Sequence, residues 1–336
     1  GLMKQHIGYL GMGIWGFCLA SLLANKGYPV VAWSRNPDLI KQLQEERRHP
    51  LAPNVVISPN LSFTTDMKEA IHNAFMIVEG VTSAGIRPVA EQLKQITDLS
   101  VPFVITSKGI EQNTGLLLSE IMLEVLGDSV TPYLGYLSGP SIAKEVLNGS
   151  PCSVVVSAYD SQTLKQIHEA FSLPTFRVYP NTDIKGAALG GALKNVIAIA
   201  CGIAEGLSFG NNAKAGLVTR GLHEMRKLAA IMDCKPETLN GLAGLGDLCV
   251  TCFSESSRNL RFGHLLAQGL TFEQAKAKIG MVVEGAYTAL SAYQVAKHHK
   301  IDMPITTGIY RVLYENLDLK EGIALLLQRN TKEEFL

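Results

Sequence analysis

Neither sign of charge is in excess in this 336-residue chain, where thirty Lys and Arg side chains balance thirty Asp and Glu. With no net positive field, neither a nucleic-acid backbone nor an anionic membrane surface is drawn to the protein as a whole, so phosphate recognition has to be local. Near the N-terminus there is no basic stretch followed by an apolar run and a small-residue cleavage site, which argues against a secretory signal and predicts a cytoplasmic address. Gly1 and Leu2 ahead of Met3 read as a scar of recombinant expression and stay outside the fold argument. Internal repeats and low-complexity tracts are also missing. Six cysteines (Cys18, Cys152, Cys201, Cys234, Cys249 and Cys252) are scattered without the framework of a small disulfide scaffold, so reduced thiols are expected. A composition 47% hydrophobic and 18% charged, at this length, excludes disorder and suits two ordinary domains.

Short apolar runs alternate with helical patterns from residue 4 to 180, the signature of repeated βα units around a parallel sheet. Strands are predicted at His6–Leu10, Val30–Ser34, Phe75–Glu79, Pro102–Thr106, Tyr133–Leu137, Ser153–Ser157 and Thr175–Tyr179. Amphipathic helices are predicted at Leu19–Lys26, Pro37–Arg47, Ile86–Gln95, Gly115–Leu126 and Ser161–Phe171. Beyond Pro180 the strand signals stop and helical patterns continue. The expected architecture is an α/β N-terminal domain, residues 3–180, with a doubly wound parallel sheet, followed by an all-α C-terminal domain, residues 181–336. The run Ala187–Ala204 is long and apolar enough to raise the question of a membrane span, but Lys194 and Asn195 stand at its middle. With no second span or basic flank, it is expected to be a buried helix of the second domain, not an integral membrane segment.

Gly11-Met-Gly13-Ile-Trp-Gly16 follows the first predicted strand and opens the first helix, the context that a dinucleotide-binding (Rossmann-type) fingerprint requires. Gly11 suits the tight turn, Gly13 the approach of backbone amides to a diphosphate, and Gly16 close packing of helix on strand. NAD-specific sites place Asp or Glu at the end of the second strand, to bond the ribose 2′-hydroxyl. Here that strand ends Trp33-Ser34-Arg35-Asn36. The missing acid and the presence of Arg35 favour NADP, whose 2′-phosphate a guanidinium can pair with; a solvated loop arginine is the bland alternative.

Lys194 is an anomaly, because an amine inside an apolar helix must be paired, face a ligand or lose its proton. Gly190 and Gly191 share its helical face and are expected to leave open space beside its stem. Snorkelling to the surface is the alternative. A second cluster reads Gly244-Leu-Gly-Asp247-Leu-Cys-Val-Thr251, then Ser256-Ser257-Arg258-Asn259-Leu-Arg261. Small residues around Asp247 suit a carboxylate held close to another backbone. Ser257, Arg258 and Asn259 offer the donors and forked cation that bind a compact phosphoryl group, although a helix N-cap at Ser257 would look the same. The lone Cys249-Val-Thr-Cys252 pair lacks the partners that zinc needs, so no metal is expected.

These segments, together with Thr106-Ser-Lys108-Gly-Ile-Glu, Leu137-Ser-Gly-Pro-Ser141-Ile-Ala143-Lys-Glu, Leu189-Gly-Gly-Ala-Leu-Lys194-Asn195, Asn212-Ala-Lys-Ala and Val283-Glu284-Gly, resemble in order and spacing those of bacterial NAD(P)-dependent glycerol-3-phosphate dehydrogenases. The resemblance covers nearly the whole chain. It implies hydride exchange between NAD(P)H and the pair dihydroxyacetone phosphate and sn-glycerol 3-phosphate, a supply of the latter for phospholipid synthesis, and a homodimer. It further implies Lys194 as proton donor or acceptor, tuned by Asp247. Lys108 would lie between cofactor and substrate; Gly139, Ser141, Ser257, Arg258 and Asn259 would complete the substrate pocket. Trp15, Arg35, Ala143, Val282 and Glu284 would border the dinucleotide, with Lys108 and Arg258 touching it as well. The chain departs from the family pattern at Ala188, where Glu is common, at Glu79-Gly-Val-Thr-Ser83, in place of a Val-Pro-Ser turn near the cofactor crevice, and at Asn211, where Asp is common. Two other readings compete: another β-hydroxyacid-type dehydrogenase, whose fingerprints match less well, and a non-catalytic dinucleotide-binding redox sensor, which would need neither Lys194 nor Asp247.

Overall fold

The computed structural model describes residues 5–336; Gly1, Leu2, Met3 and Lys4, and with them the first two residues of the expected N-terminal domain, lie outside the described residues. The chain divides into two compact units. The first contains residues up to Ser107 together with Leu118–Ile184, and the second contains Lys108–Leu117 together with Lys185–Leu336.

The first unit is built on a sheet of eight strands: β1 (His6–Leu10), β2 (Val30–Trp33), β3 (Leu61–Thr64), β4 (Ala74–Glu79), β5 (Phe103–Ile105), β6 (Leu134–Ser138), β7 (Cys152–Ala158) and β8 (Phe176–Asn181). Their spatial order is β3-β2-β1-β4-β5-β6-β7-β8, so the winding reverses between β1 and β4. Crevices of this kind, at the carboxyl ends of the strands beside a reversal, are where open α/β sheets hold ligands. Among the described residues its α-helices are α1 (Ile14–Lys26), α2 (Pro37–Glu46), α3 (Met67–Ile71), α4 (Ile86–Ile96), α5 (Leu118–Leu126), α6 (Ala143–Leu147) and α7 (Ser161–Phe171). The core between helices and sheet is filled by Ile7, Phe17, Leu19, Leu23, Leu43, Phe63, Val104, Val156, Ile167 and Phe171.

Two strand expectations needed correction. β3, Leu-Ser-Phe-Thr, is half polar and carries no continuous apolar run of the kind that marked the other strands, so the sequence pattern passed over it. The sheet is also not wholly parallel, because β7 runs antiparallel to β6. A parallel return needs a crossover that packs across the sheet, and the five-residue α6 is too short for that.

The second unit is helical apart from the segment Lys108–Leu117, which the sequence pattern had left with the N-terminal domain. Its helices are α8 (Ile184–Gly206), α9 (Asn211–Ile231), α10 (Asp247–Phe253), α11 (Arg258–Ala267), α12 (Phe272–Ile279), α13 (Glu284–His298), α14 (Pro304–Tyr314) and α15 (Leu319–Leu327). α8 is the long apolar helix, and its most apolar stretch is wholly buried in protein. Its glycines permit that burial. A Cβ on Gly202 would collide with the Leu260 carbonyl of α11, so the two helices meet backbone to backbone.

Candidate active site

The fingerprint glycines occupy three different environments in the first unit. Gly11 has φ +105°, a conformation that L side chains rarely adopt, and a Cβ there would lie 2.7 Å from the Gly80 carbonyl oxygen. A Cβ on Gly16 would strike the carbonyl of Gly11, so only glycine lets α1 sit this close to the turn. Gly13 has nothing within 4 Å of its missing Cβ and is exposed. It is also the N-cap of α1 and carries no capping side chain, and the first turn of α1 has no acid. The neighbouring helices differ: α2, α3 and α7 have their first amides taken by Asn36, Asp66 and Asp160. The uncapped amides of α1, next to exposed Gly13, fit the diphosphate of a dinucleotide. Trp15 is half-buried on α1 beside this turn, and Arg35 is exposed just beyond β2. Gly139 follows β6 with φ +147°, and its carbonyl accepts a hydrogen bond of 2.8 Å from Ser141 Oγ; Ala143 begins α6.

The second unit contains a buried charge cluster. Lys194 Nζ donates to Asp247 Oδ1 at 2.6 Å and to Thr251 Oγ1 at 2.7 Å, while Lys108 Nζ donates to Asp247 Oδ2 at 2.7 Å. Asp247 is 1% exposed and Lys194 7%. Three separate segments deliver these groups. Lys194 comes from the middle of α8, Asp247 and Thr251 share one face of α10 at i and i+4, and Lys108 starts the segment Lys108–Leu117. That segment is fastened to α13 through Gln112 and Asn113, which bond Tyr287 and Gln294 respectively. A π-helical turn, Leu242–Gly246, precedes α10. Gly190 does not leave open space, as its place in the sequence suggested: a Cβ there would lie 2.6 Å from the Ala243 carbonyl oxygen of that turn. The missing side chain lets α8 and the turn touch, which brings Asp247 onto Lys194.

Burial drives the Lys194 ammonium down to a pKa of about 8; Asp247 opposes this and Lys108 adds to it. For Asp247, burial favours the neutral acid, but the ammonium groups of Lys108 and Lys194 outweigh it and hold the carboxyl below its usual range. Two ammonium groups on one carboxylate leave a cluster of net charge +1, suited to an anionic ligand or to charge developing on an oxygen.

Other predicted residues have local partners. Ser257 is the N-cap of α11, its Oγ accepting from the Leu260 amide, and Arg258 opens that helix with its guanidinium donating to the Val282 carbonyl at 2.9 Å. Asn259 is a buried strut: its amide donates to Asn195 Oδ1 at 3.0 Å, and its own Oδ1 accepts from the Gly285 amide at 2.8 Å. Val282 is exposed and Glu284 opens α13. Thr251 had no role in the sequence reading, although its i+4 spacing from Asp247 was visible. The pairing of Lys108 with Asp247 had no local signal at all.

Residues 6–164 match the NAD-dependent glycerol-3-phosphate dehydrogenase N-terminus and residues 183–324 its C-terminus. The Chlamydia felis protein named glycerol-3-phosphate dehydrogenase (NAD(P)+) is 78% identical over 334 residues, covering 99% of this chain and 100% of that one. A solved glycerol-3-phosphate dehydrogenase from Coxiella burnetii is 37% identical with a TM-score of 0.93, covering 97% of this chain and 99% of that one. D-mandelate dehydrogenase bound to NADH, 14% identical with a TM-score of 0.63 over 93% of this chain and 98% of that one, shares the fold alone. With both halves of the chain matched, this protein belongs to the NAD-dependent glycerol-3-phosphate dehydrogenase family.

Proposed function

We propose that the protein interconverts sn-glycerol 3-phosphate and dihydroxyacetone phosphate with NAD(P) as the redox partner, and that Lys194 is the group that handles the proton. The observation that carries this reading is the buried Lys194–Asp247–Lys108 cluster, in which an ammonium group whose pKa burial lowers is held by a carboxylate inside a helical core. A redox sensor has no use for such a cluster. When bound, the dinucleotide supplies or accepts hydride.

In the reducing direction the Lys194 ammonium donates its proton to the oxygen of the substrate carbonyl, and in the oxidising direction the neutral amine takes it back. Asp247 holds Nζ in place and keeps enough of it protonated near neutral pH. Lys108 adds a second positive charge, which stabilises negative charge on the substrate oxygen. Arg258 supplies a fork for the phosphoryl group, with Ser257 at the start of α11. Gly13, at the uncapped start of α1, admits the diphosphate, while Gly11 and Gly16 shape the turn that presents it. Exposed Arg35 receives a 2′-phosphate, so NADPH is used at least as well as NADH. We place the protein in the cytoplasm as a homodimer, where its product feeds phospholipid synthesis. The direct test is oxidation of NADPH by the purified protein with dihydroxyacetone phosphate, compared with unphosphorylated dihydroxyacetone. Strong turnover with the phosphorylated ketone alone is expected; equal turnover, or none with either, removes the assignment.

A further inference from the structure

Glu79 ends β4 at the centre of the sheet, paired with Leu10 of β1 on one side and Ile105 of β5 on the other, and it is 0% exposed. Its carboxylate is taken up by donors of the neighbouring loops. Oε1 accepts from the amides of Thr106 at 2.9 Å and Ser107 at 3.1 Å, and Oε2 accepts from Ser107 Oγ at 2.7 Å and the Val81 amide at 3.1 Å. Thr106 Oγ1 in turn donates to the Glu79 carbonyl at 2.7 Å, and the Ser107 carbonyl accepts from Tyr136 Oη at 2.8 Å. Thr106 and Ser107 are thus gripped from both sides. Four converging donors ask for an ionised carboxylate, although burial pushes its pKa up to about 7 against them. Burying an acid is costly, and a hydrophobic residue would fill a sheet centre at lower cost, so the grip needs a reason beyond packing.

That reason is the next residue in the chain. Ser107 is the last residue of the first unit before the backbone passes to Lys108. We infer that Glu79 is a positioning residue for the reaction: its carboxylate fixes the Thr106–Ser107 backbone from which Lys108 is extended toward Asp247. The inference rests on the reading of Lys108 given above.

The test is a double-mutant cycle on the full-length protein, with turnover of dihydroxyacetone phosphate and NADPH affinity measured separately. Glu79→Gln keeps the size of the side chain but presents an amide to the Val81 N–H. It should lower kcat by about tenfold or more, the scale on which misplaced catalytic groups act, while NADPH affinity stays within about twofold. In a Lys108→Ala background the same change should cost less than about twofold, because groups acting through one another are not additive. Ser107→Ala, which deletes one donor to the carboxylate, should give a smaller loss with the same non-additivity, and it serves if Glu79→Gln does not fold. Equal losses in both backgrounds, or wild-type kcat in Glu79→Gln, overturn the inference. Wild-type turnover in Lys108→Ala alone would instead sink the reading of Lys108, and the task of Glu79 with it.

Discussion

Asp247→Asn isolates the electrostatic side of the mechanism. The substitution keeps the shape but withdraws the charge that Lys194 and Lys108 both donate to, at 2.6 and 2.7 Å. Breaking a buried ion pair from one side costs about 3–5 kcal/mol. One pKa unit corresponds to about 1.36 kcal/mol, so if only a third of that cost falls on the Lys194 proton, its pKa drops by about one unit. In the wild type the reducing reaction needs the ammonium form; it is at full rate below the Lys194 pKa of about 8 and is lost as pH rises through it. Asp247→Asn should move this loss to lower pH by about one unit or more and depress the plateau. The oxidising reaction needs the free amine, so its rise through about pH 8 should move the same way. Lys108→Met should do the opposite, since Lys108 pushes the Lys194 pKa down. The assay is kcat/KM for dihydroxyacetone phosphate against pH at fixed ionic strength, because that parameter reports the free enzyme. A limb that stays in place in Asp247→Asn, or moves to higher pH, refutes the proposed tuning.

Four further outcomes are expected. Lys194→Ala should retain NADPH binding, by fluorescence titration, yet lose about 10²–10⁴-fold in turnover, and adding Asp247→Asn to it should cost little more. Arg258→Ala should raise the KM for dihydroxyacetone phosphate about tenfold or more, with Arg258→Lys restoring part of it, while Arg35→Ala should weaken NADPH and spare NADH; steady-state kinetics with each ligand decides both. Gly190→Ala places a Cβ against the Ala243 carbonyl, so it should lower the melting temperature by several degrees, a cost of about 1–3 kcal/mol, and reduce turnover by moving Asp247 off Lys194.

Local chemistry made much of this protein legible from residues alone. Short apolar runs placed seven of the strands, and Gly11, Gly13 and Gly16 marked the turn into α1, because backbone freedom and close approach can be read directly from glycine. Lys194 stood out because an amine in an apolar helix has to be accounted for. The sign of its pKa shift did not follow, since burial and the Asp247 charge act in opposite directions and only the packed structure sets their balance. Other features depended on contacts between segments far apart in the chain. Lys108 reaches a carboxylate 139 residues away, Glu79 accepts from the Thr106 and Ser107 amides, and Gly190 meets a carbonyl where open space was expected. Periodicity and propensity act over a few residues, whereas which backbone fills the space beside a glycine, or which donors surround an acid, is decided when those distant segments pack.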